Sequence, residues 1–161
     1  GLPHVLKINV QELQALSGGL SASGGSGALA GDLSQYPGAL ADWLSERLGE
    51  WASEAIVITL GEQGALAVST VGSYRVHALD VPVVNTAGAG DALDAGLMLA
   101  RSRGADWPAA LRLGTAAAAS VVMNEGTAIC RREQVQELLT RVQVEAMDEG
   151  RRTSLIRRSS L

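Results

Sequence analysis

Between Val83 and Asp91 the chain reads Val83-Val84-Asn85-Thr86-Ala87-Gly88-Ala89-Gly90-Asp91, a β-branched start followed by two closely spaced glycines and a carboxylate. Glycine tolerates backbone angles that aim successive N–H groups into one concavity. A helix starting directly behind adds its positive N-terminal end, so a phosphate or a developing phosphoryl charge would be stabilised there. Asp91 beside the glycines is positioned to accept the proton of an attacking hydroxyl during phosphoryl transfer. An acid in a first helical turn also has a plainer use, stabilising the helix dipole. Two better-known phosphate motifs are absent: there is no G-x-x-x-x-G-K-[ST], and Gly88-Ala89-Gly90-Asp91-Ala92-Leu93 lacks the third glycine of the dinucleotide fingerprint.

Two other short segments carry residues suited to anions and hard cations. Lys7-Ile8-Asn9-Val10-Gln11-Glu12 holds the only lysine of the chain, and Thr59-Leu60-Gly61-Glu62-Gln63-Gly64 is a hydroxyl followed by a glycine-flanked turn. Taken singly, each has an ordinary structural reading: a lysine near a strand end, and a helix cap with an acid in its first turn.

The elements that must position these residues alternate. The sequence predicts a short strand over His4–Ile8 and a helix over Val10–Leu16, with Asn9 at their junction. Ser17–Gly31, rich in glycine, serine and alanine, reads as a mobile connection. From Pro37, the spacing of Leu40, Trp43, Leu44, Leu48 and Trp51 predicts one helix, and Ala55–Leu60 a buried strand. Past the turn at Gly61–Gly64, strands are predicted over Ala65–Thr70, Ser73–His77 and Leu79–Val84. Helices then cover about Asp91–Arg103, a stretch opened by Asp106 and Trp107-Pro108 and running to about Met123, and Arg132–Met147. Residues 150–161 lack an amphipathic period and read as a disordered basic tail; Arg151-Arg152-Thr153-Ser154-Leu155 and Arg157-Arg158-Ser159-Ser160-Leu161 resemble basic-directed phosphorylation sites.

Composition bounds the rest. A chain of 161 residues, 47% apolar, can bury a core, and with 3% aromatics and no Phe that core must come from Ala, Val, Leu and Ile between layers. Residues 150–161 contribute four arginines and no acid, so the body up to residue 149 carries −8, the total of −4 less the tail's +4. A body this acidic argues against nucleic-acid binding. A single cysteine, Cys130, rules out an intramolecular disulfide and suits a reducing compartment. Ala92–Ala100 and Ala109–Met123 are too short or interrupted to span a bilayer, and no leader opens the chain, so a cytoplasmic protein without membrane contact is expected.

Asn85-Thr86-Ala87-Gly88-Ala89-Gly90-Asp91-Ala92 resembles the D-T-x-G-A-G-D-x signature of ribokinase-like carbohydrate kinases, the PfkB family. In matching order, Lys7–Glu12 resembles the family's K-P-N-x-x-E element and Thr59–Gly64 its [ST]-x-G-x-x-G nucleotide loop. The resemblance covers roughly Val5–Leu139 and implies the C-terminal half of a three-layer αβα sandwich, residues 1–149 being the nucleotide-binding and catalytic part. It implies that Asp91 is the general base and that Gly88, Ala89 and Gly90 form the anion hole. Lys7 and Asn9 would lie near the ATP phosphates, and Thr59, Gly61 and Gly64 would line the nucleotide site. Glu12 would organise Mg²⁺ through water; Asn85, Ala87, Asn124 and Gly126 would hold a monovalent cation such as K⁺.

Two departures stand out: Asn85 occupies a position usually Asp, and Ile8 one usually Pro. Asn at the first signature position resembles the branch of phosphofructokinases and tagatose-phosphate kinases, which implies a phosphorylated hexose such as fructose 1-phosphate as acceptor. The family's N-terminal portion, with its sugar-binding residues and sheet lid, does not precede Lys7. Two functions are therefore in contention: an ATP-dependent sugar or sugar-phosphate kinase, homodimeric in its full-length form, or a truncated module that holds nucleotide without acting on an acceptor.

Overall fold

The computed structural model describes residues 1–18 and 36–147. Most of the Ser17–Gly31 connection and the whole basic tail lie outside the described residues. In chain order the elements are β1 (Val5–Asn9), α1 (Val10–Gly18), α2 (Pro37–Ser45), β2 (Ala55–Thr59), a 3₁₀ turn (Gly61–Gln63), β3 (Ala65–Ser69) and β4 (Gly72–Val76). They are followed by α3 (Ala89–Ser102), α4 (Trp107–Val122), α5 (Arg132–Leu139) and β5 (Val144–Met147).

The strands form one sheet in the order β1-β2-β3-β4-β5. β1 and β2 run parallel with Asn9 beside Thr59, and the remaining pairs are antiparallel. Period-two alternation sorts the strand residues between two cores. Ile8, Ile56, Ile58, Leu66 and Val68 face α1 and α2, packing on Leu13, Leu40 and Leu44. Ala55, Val57, Ala65, Ala67 and Val76 face α3, α4 and α5, packing on Leu93, Leu97, Trp107 and Leu111. Helices on both faces of a sheet whose β2 and β3 are buried make the expected three-layer α/β arrangement.

α3 and α4 cross in close contact because neither carries a side chain at the crossing. A Cβ on Gly96 would lie 2.8 Å from Gly114 Cα, and one on Gly114 would lie 2.7 Å from the Leu93 carbonyl oxygen. α4 starts as its sequence predicts: Asp106 Oδ1 accepts from Ala109 N–H at 2.8 Å, and Pro108 occupies the first turn. At the far end of α3, Arg101 pairs with Glu54 and stacks over Trp107, tying the helix to the start of β2.

Three elements depart from the sequence expectation. The helix from Pro37 ends at Ser45; Leu48 and Trp51 keep helical spacing within a turn, where they pack beside Trp43 and Arg47 lies over the Trp43 ring. Leu79–Val84 forms no strand, because β5 occupies the sheet position beside β4. The expected long last helix stops at Leu139, and Val144–Met147 is β5 instead. Val142, Val144 and Ala146 have the period of a strand, and Val144 pairs with Val76. No helix among the described residues is long and apolar enough to cross a membrane.

Candidate active site

Parallel pairing of β1 and β2 aligns their carboxyl ends, so the two segments that follow, Asn9–Glu12 and Gly61–Gly64, leave the sheet side by side. The carboxyl edge of adjacent parallel strands is where open α/β sheets leave a crevice for ligands. At the start of α1 the capping is reciprocal: Asn9 N–H donates to Glu12 Oε2 at 2.8 Å, and Glu12 N–H donates to Asn9 Oδ1 at 2.8 Å. This capping box fixes both side chains and takes one of the two Glu12 carboxylate oxygens.

The two glycines of the second segment have different reasons to be glycine. Gly64, at φ 90°, sits so close to the end of β4 that a Cβ would lie 2.0 Å from the Val76 carbonyl oxygen. Gly61, at φ 60°, faces open space. The first is a packing requirement; the second requires only the left-handed backbone.

The signature turn is anchored from behind. Asn85 Oδ1 accepts from Ala87 N–H at 2.9 Å, while Asn85 Nδ2 donates to the Gly126 carbonyl at 3.1 Å. The second bond explains the Asn, since an ionised carboxylate there would have no proton to donate. Gly88, at φ 84°, is the N-cap of α3, and a Cβ on it would lie 2.8 Å from Ala128 Cβ. No side chain caps this helix, so its first-turn N–H groups, around Gly90 and Asp91, face outward without intrahelical acceptors. Asp91 is exposed there.

Lys7 joins the first and third segments. It lies on the strand face turned to α3, with Nζ 3.4 Å from Asp94 Oδ2 and 3.2 Å from where a Gly90 Cβ would be. Asp94 is the residue that the motif reading missed. It lies three positions after Asp91 on the same side of α3, a spacing visible in the sequence. Burial raises the Asp94 pKa; the Lys7 charge and hydrogen bond oppose that shift, while the Asp91 and Glu12 charges add to it.

A cleft of about 650 Å³ opens in front of these groups, lined by Thr59, Gly61 and Gly64 on one side and Thr86, Ala89 and Gly90 on the other. Its back wall is apolar and includes Leu79, Val81 and Leu93. Leu79–Val83, expected as a strand, is thus a wall of the cleft. Of the expected site residues, Thr59, Gly61, Gly64, Ala89 and Gly90 line the cleft, and Lys7 reaches its edge at Gly90; Asn9, Glu12, Gly88 and Asp91 are adjacent in the chain or the sheet but do not line it.

The expected cation ligands are arranged differently. Asn85, Ala87 and Gly126 meet behind the turn, but the Asn124 amide points elsewhere and is buried. Its Nδ2 donates to Ser120 O at 2.6 Å and to Gln134 Oε1 at 2.7 Å, where it locks the α4–α5 connection. Among the described residues, no three His, Cys, Asp or Glu side chains are grouped to cage a metal.

Comparison with known proteins decides the family. The profile of the pfkB family carbohydrate kinases matches residues 1–134. This chain belongs to the pfkB family. It is 36% identical over 91 residues to an ATP-dependent 6-phosphofructokinase isozyme 2 of Mycobacterium tuberculosis, covering 56% of the chain and 27% of that protein. To a 1-phosphofructokinase of Haloferax volcanii it is 39% identical over 100 residues, covering 62% and 33%. Phosphofructokinase-2 of Escherichia coli, solved in complex with potassium, shares the fold with a TM-score of 0.70 and 24% identity over 88% of the chain and 41% of that structure. A ribokinase of Thermotoga maritima aligns with a TM-score of 0.65 and 27% identity, covering 85% and 42%. The pfkB chain thus spans 27% and 33% of the length of these two curated relatives, and under half of the matched structures. Phosphofructokinases are thus among its relatives, the branch that Asn85 resembles.

Proposed function

We propose that this chain is the nucleotide-binding and catalytic part of an ATP-dependent carbohydrate kinase that transfers the γ-phosphoryl group to a hydroxyl of a phosphorylated hexose such as fructose 1-phosphate. The observation that carries the reading is the cleft, in which the turn after β2 and the first turn of α3 face each other with the Lys7 ammonium at Gly90. A nucleotide would lay its base against the apolar wall and its phosphates toward the N-terminus of α3. Of the Gly88-Ala89-Gly90 turn, the Ala89 N–H is taken by the Thr86 carbonyl at 3.2 Å, so the outward N–H groups around Gly90 would be the ones directed at the transferring phosphoryl, where charge develops in the transition state.

Asp91 accepts the proton of the attacking hydroxyl as that oxygen bonds to phosphorus and the bond to the ADP oxygen breaks. Its exposure, next in the chain to the cleft-lining Gly90, leaves it open to an acceptor. Lys7 and Asn9 orient the phosphates. Mg²⁺ would supply positive charge that neutralises the phosphates during transfer. A hard cation suits the exposed Glu12 carboxylate, one of whose oxygens is left over by the capping box. Backbone oxygens around Ala87 and Gly126 are the candidates for a K⁺ site, with the Asn124 side chain left out of it.

Contacts that select the sugar belong to a part of the enzyme beyond these residues, and we place the whole enzyme in the cytoplasm, as a homodimer. The test is to assay ADP release by the intact enzyme with fructose 1-phosphate, fructose 6-phosphate and unphosphorylated hexoses. Turnover dependent on a phosphorylated hexose supports the reading. ATP binding with no turnover on any acceptor would favour the module that only holds nucleotide.

A further inference from the structure

Asp94 faces the Lys7 ammonium and is close enough to Asp91 and Glu12 to feel their charges. Lys7 pairs with Asp94 at 3.4 Å, and among the described residues no ion pair within 4 Å links it to Asp91 or Glu12. Asp91 and Asp94 are three residues apart and share one side of α3. Gly90 lies between them and the strand, and its missing side chain leaves the space that the ammonium enters.

From this arrangement, and resting on the nucleotide reading above, we propose that Asp94 is a positioning residue: it holds Lys7 over Gly90, ready for phosphate oxygens and away from Asp91. Two consequences follow from elementary chemistry. A lysine side chain ordered before the ligand arrives loses less freedom on binding, so the phosphates are met by a fixed charge. An ammonium drawn to Asp94 is also not paired with Asp91, where it would stabilise the ionised carboxylate and weaken it as a base. The Asp94 pair is half-exposed, so an incoming polyphosphate can compete for the ammonium without a buried carboxylate being stranded.

Because Lys7 is the only lysine, selective ¹³C labelling of lysine gives one Cε signal that reports on this contact alone. The 161-residue chain carrying that label is titrated with Mg-ATP as wild type and as Asp94→Asn, Asp94→Glu and Asp91→Asn. We expect Asp94→Asn to shift and sharpen the Lys7 signal before ligand is added, with Asp91→Asn moving it much less. Mg-ATP affinity should fall about two- to fivefold in Asp94→Asn, the range set by the modest strength of exposed pairs, and recover at least in part in Asp94→Glu. An unchanged Lys7 signal in Asp94→Asn overturns the pairing. A shifted signal with unchanged affinity overturns the positioning role and leaves an ordinary ion pair. A wild-type signal indifferent to Mg-ATP contradicts the nucleotide reading itself, whatever Asp94 does.

Discussion

The two faces of the sheet are built from the same strands but to different specifications. Toward α1 and α2, the strands present Ile56, Ile58, Leu66 and Val68, large side chains that fill a core with Leu40 and Leu44. Toward α3 and α4, the same two strands present Ala55, Val57, Ala65 and Ala67, and the helices themselves cross at Gly96 and Gly114. Small residues let the helix pair come close to the sheet and to each other, which brings the first turn of α3 within reach of a lysine on β1. The bulky face supplies burial; the lean face supplies the approach distances on which the cleft depends. Stability and site geometry are therefore separable by substitution.

The largest separation is expected at Asp91. Asp91→Asn in the intact enzyme should lower turnover by about 10²- to 10⁴-fold, the usual worth of a general base, with Mg-ATP affinity and thermal stability nearly unchanged. Steady-state kinetics beside a melting curve checks this, and near-normal turnover would remove Asp91 from the mechanism.

The next contrast sets the faces against each other. Leu44→Ala on the bulky face should cost about 2–5 kcal/mol through the cavity it leaves, with nucleotide affinity preserved in the folded fraction. Gly114→Val on the lean face should cost about 1–3 kcal/mol by overpacking against the Leu93 carbonyl, and should also weaken nucleotide binding as α3 is pushed off position. Urea unfolding with parallel binding measurements tests the pair; equal loss of affinity in both would erase the distinction.

Within the turn after β2 the same logic applies on a smaller scale. Gly64→Ala should destabilise by roughly 1–3 kcal/mol or more, since its Cβ would meet backbone at 2.0 Å. Gly61→Ala should cost about 1 kcal/mol of backbone strain, because nothing crowds it. Comparing their denaturation midpoints settles the order.

The smallest effect concerns pH. The Asp94 pKa is raised above 3.8 in the folded chain, chiefly by burial. The native state therefore binds its proton more readily than the unfolded chain. Stability from this group is present below that value and lost as pH rises through the folded pKa. The difference in urea midpoint between wild type and Asp94→Asn should drift in that sense just above pH 3.8 and level off beyond it. A drift in the opposite direction would mean that Lys7 outweighs burial.

How much of this was legible in the sequence follows from how local each feature is. The signature turn, the reciprocal Asn9–Glu12 cap and the Asp106 cap are contiguous, and each could be read from the residues that form it. Leu79–Val84 has strand composition, but whether it pairs depends on β5, more than sixty residues later. Leu48 and Trp51 keep helical spacing after the helix has ended, because packing against Trp43 needs only the spacing. Asp94 escaped notice because its partner Lys7 is close only after β1 and α3 have packed. Asn124 has the right neighbours in sequence for a cation loop, yet its amide is consumed by Ser120 and Gln134.

The central claim is that the cleft between the β2 turn and α3 holds a nucleotide, and calorimetric titration of this chain with Mg²⁺ and a non-hydrolysable ATP analogue tests it most directly. Saturable one-to-one binding, weakened in Lys7→Ala and in Gly61→Val, is the result expected. A folded chain that shows no saturable binding, or variants Lys7→Ala and Gly61→Val that bind as tightly as wild type, would contradict it.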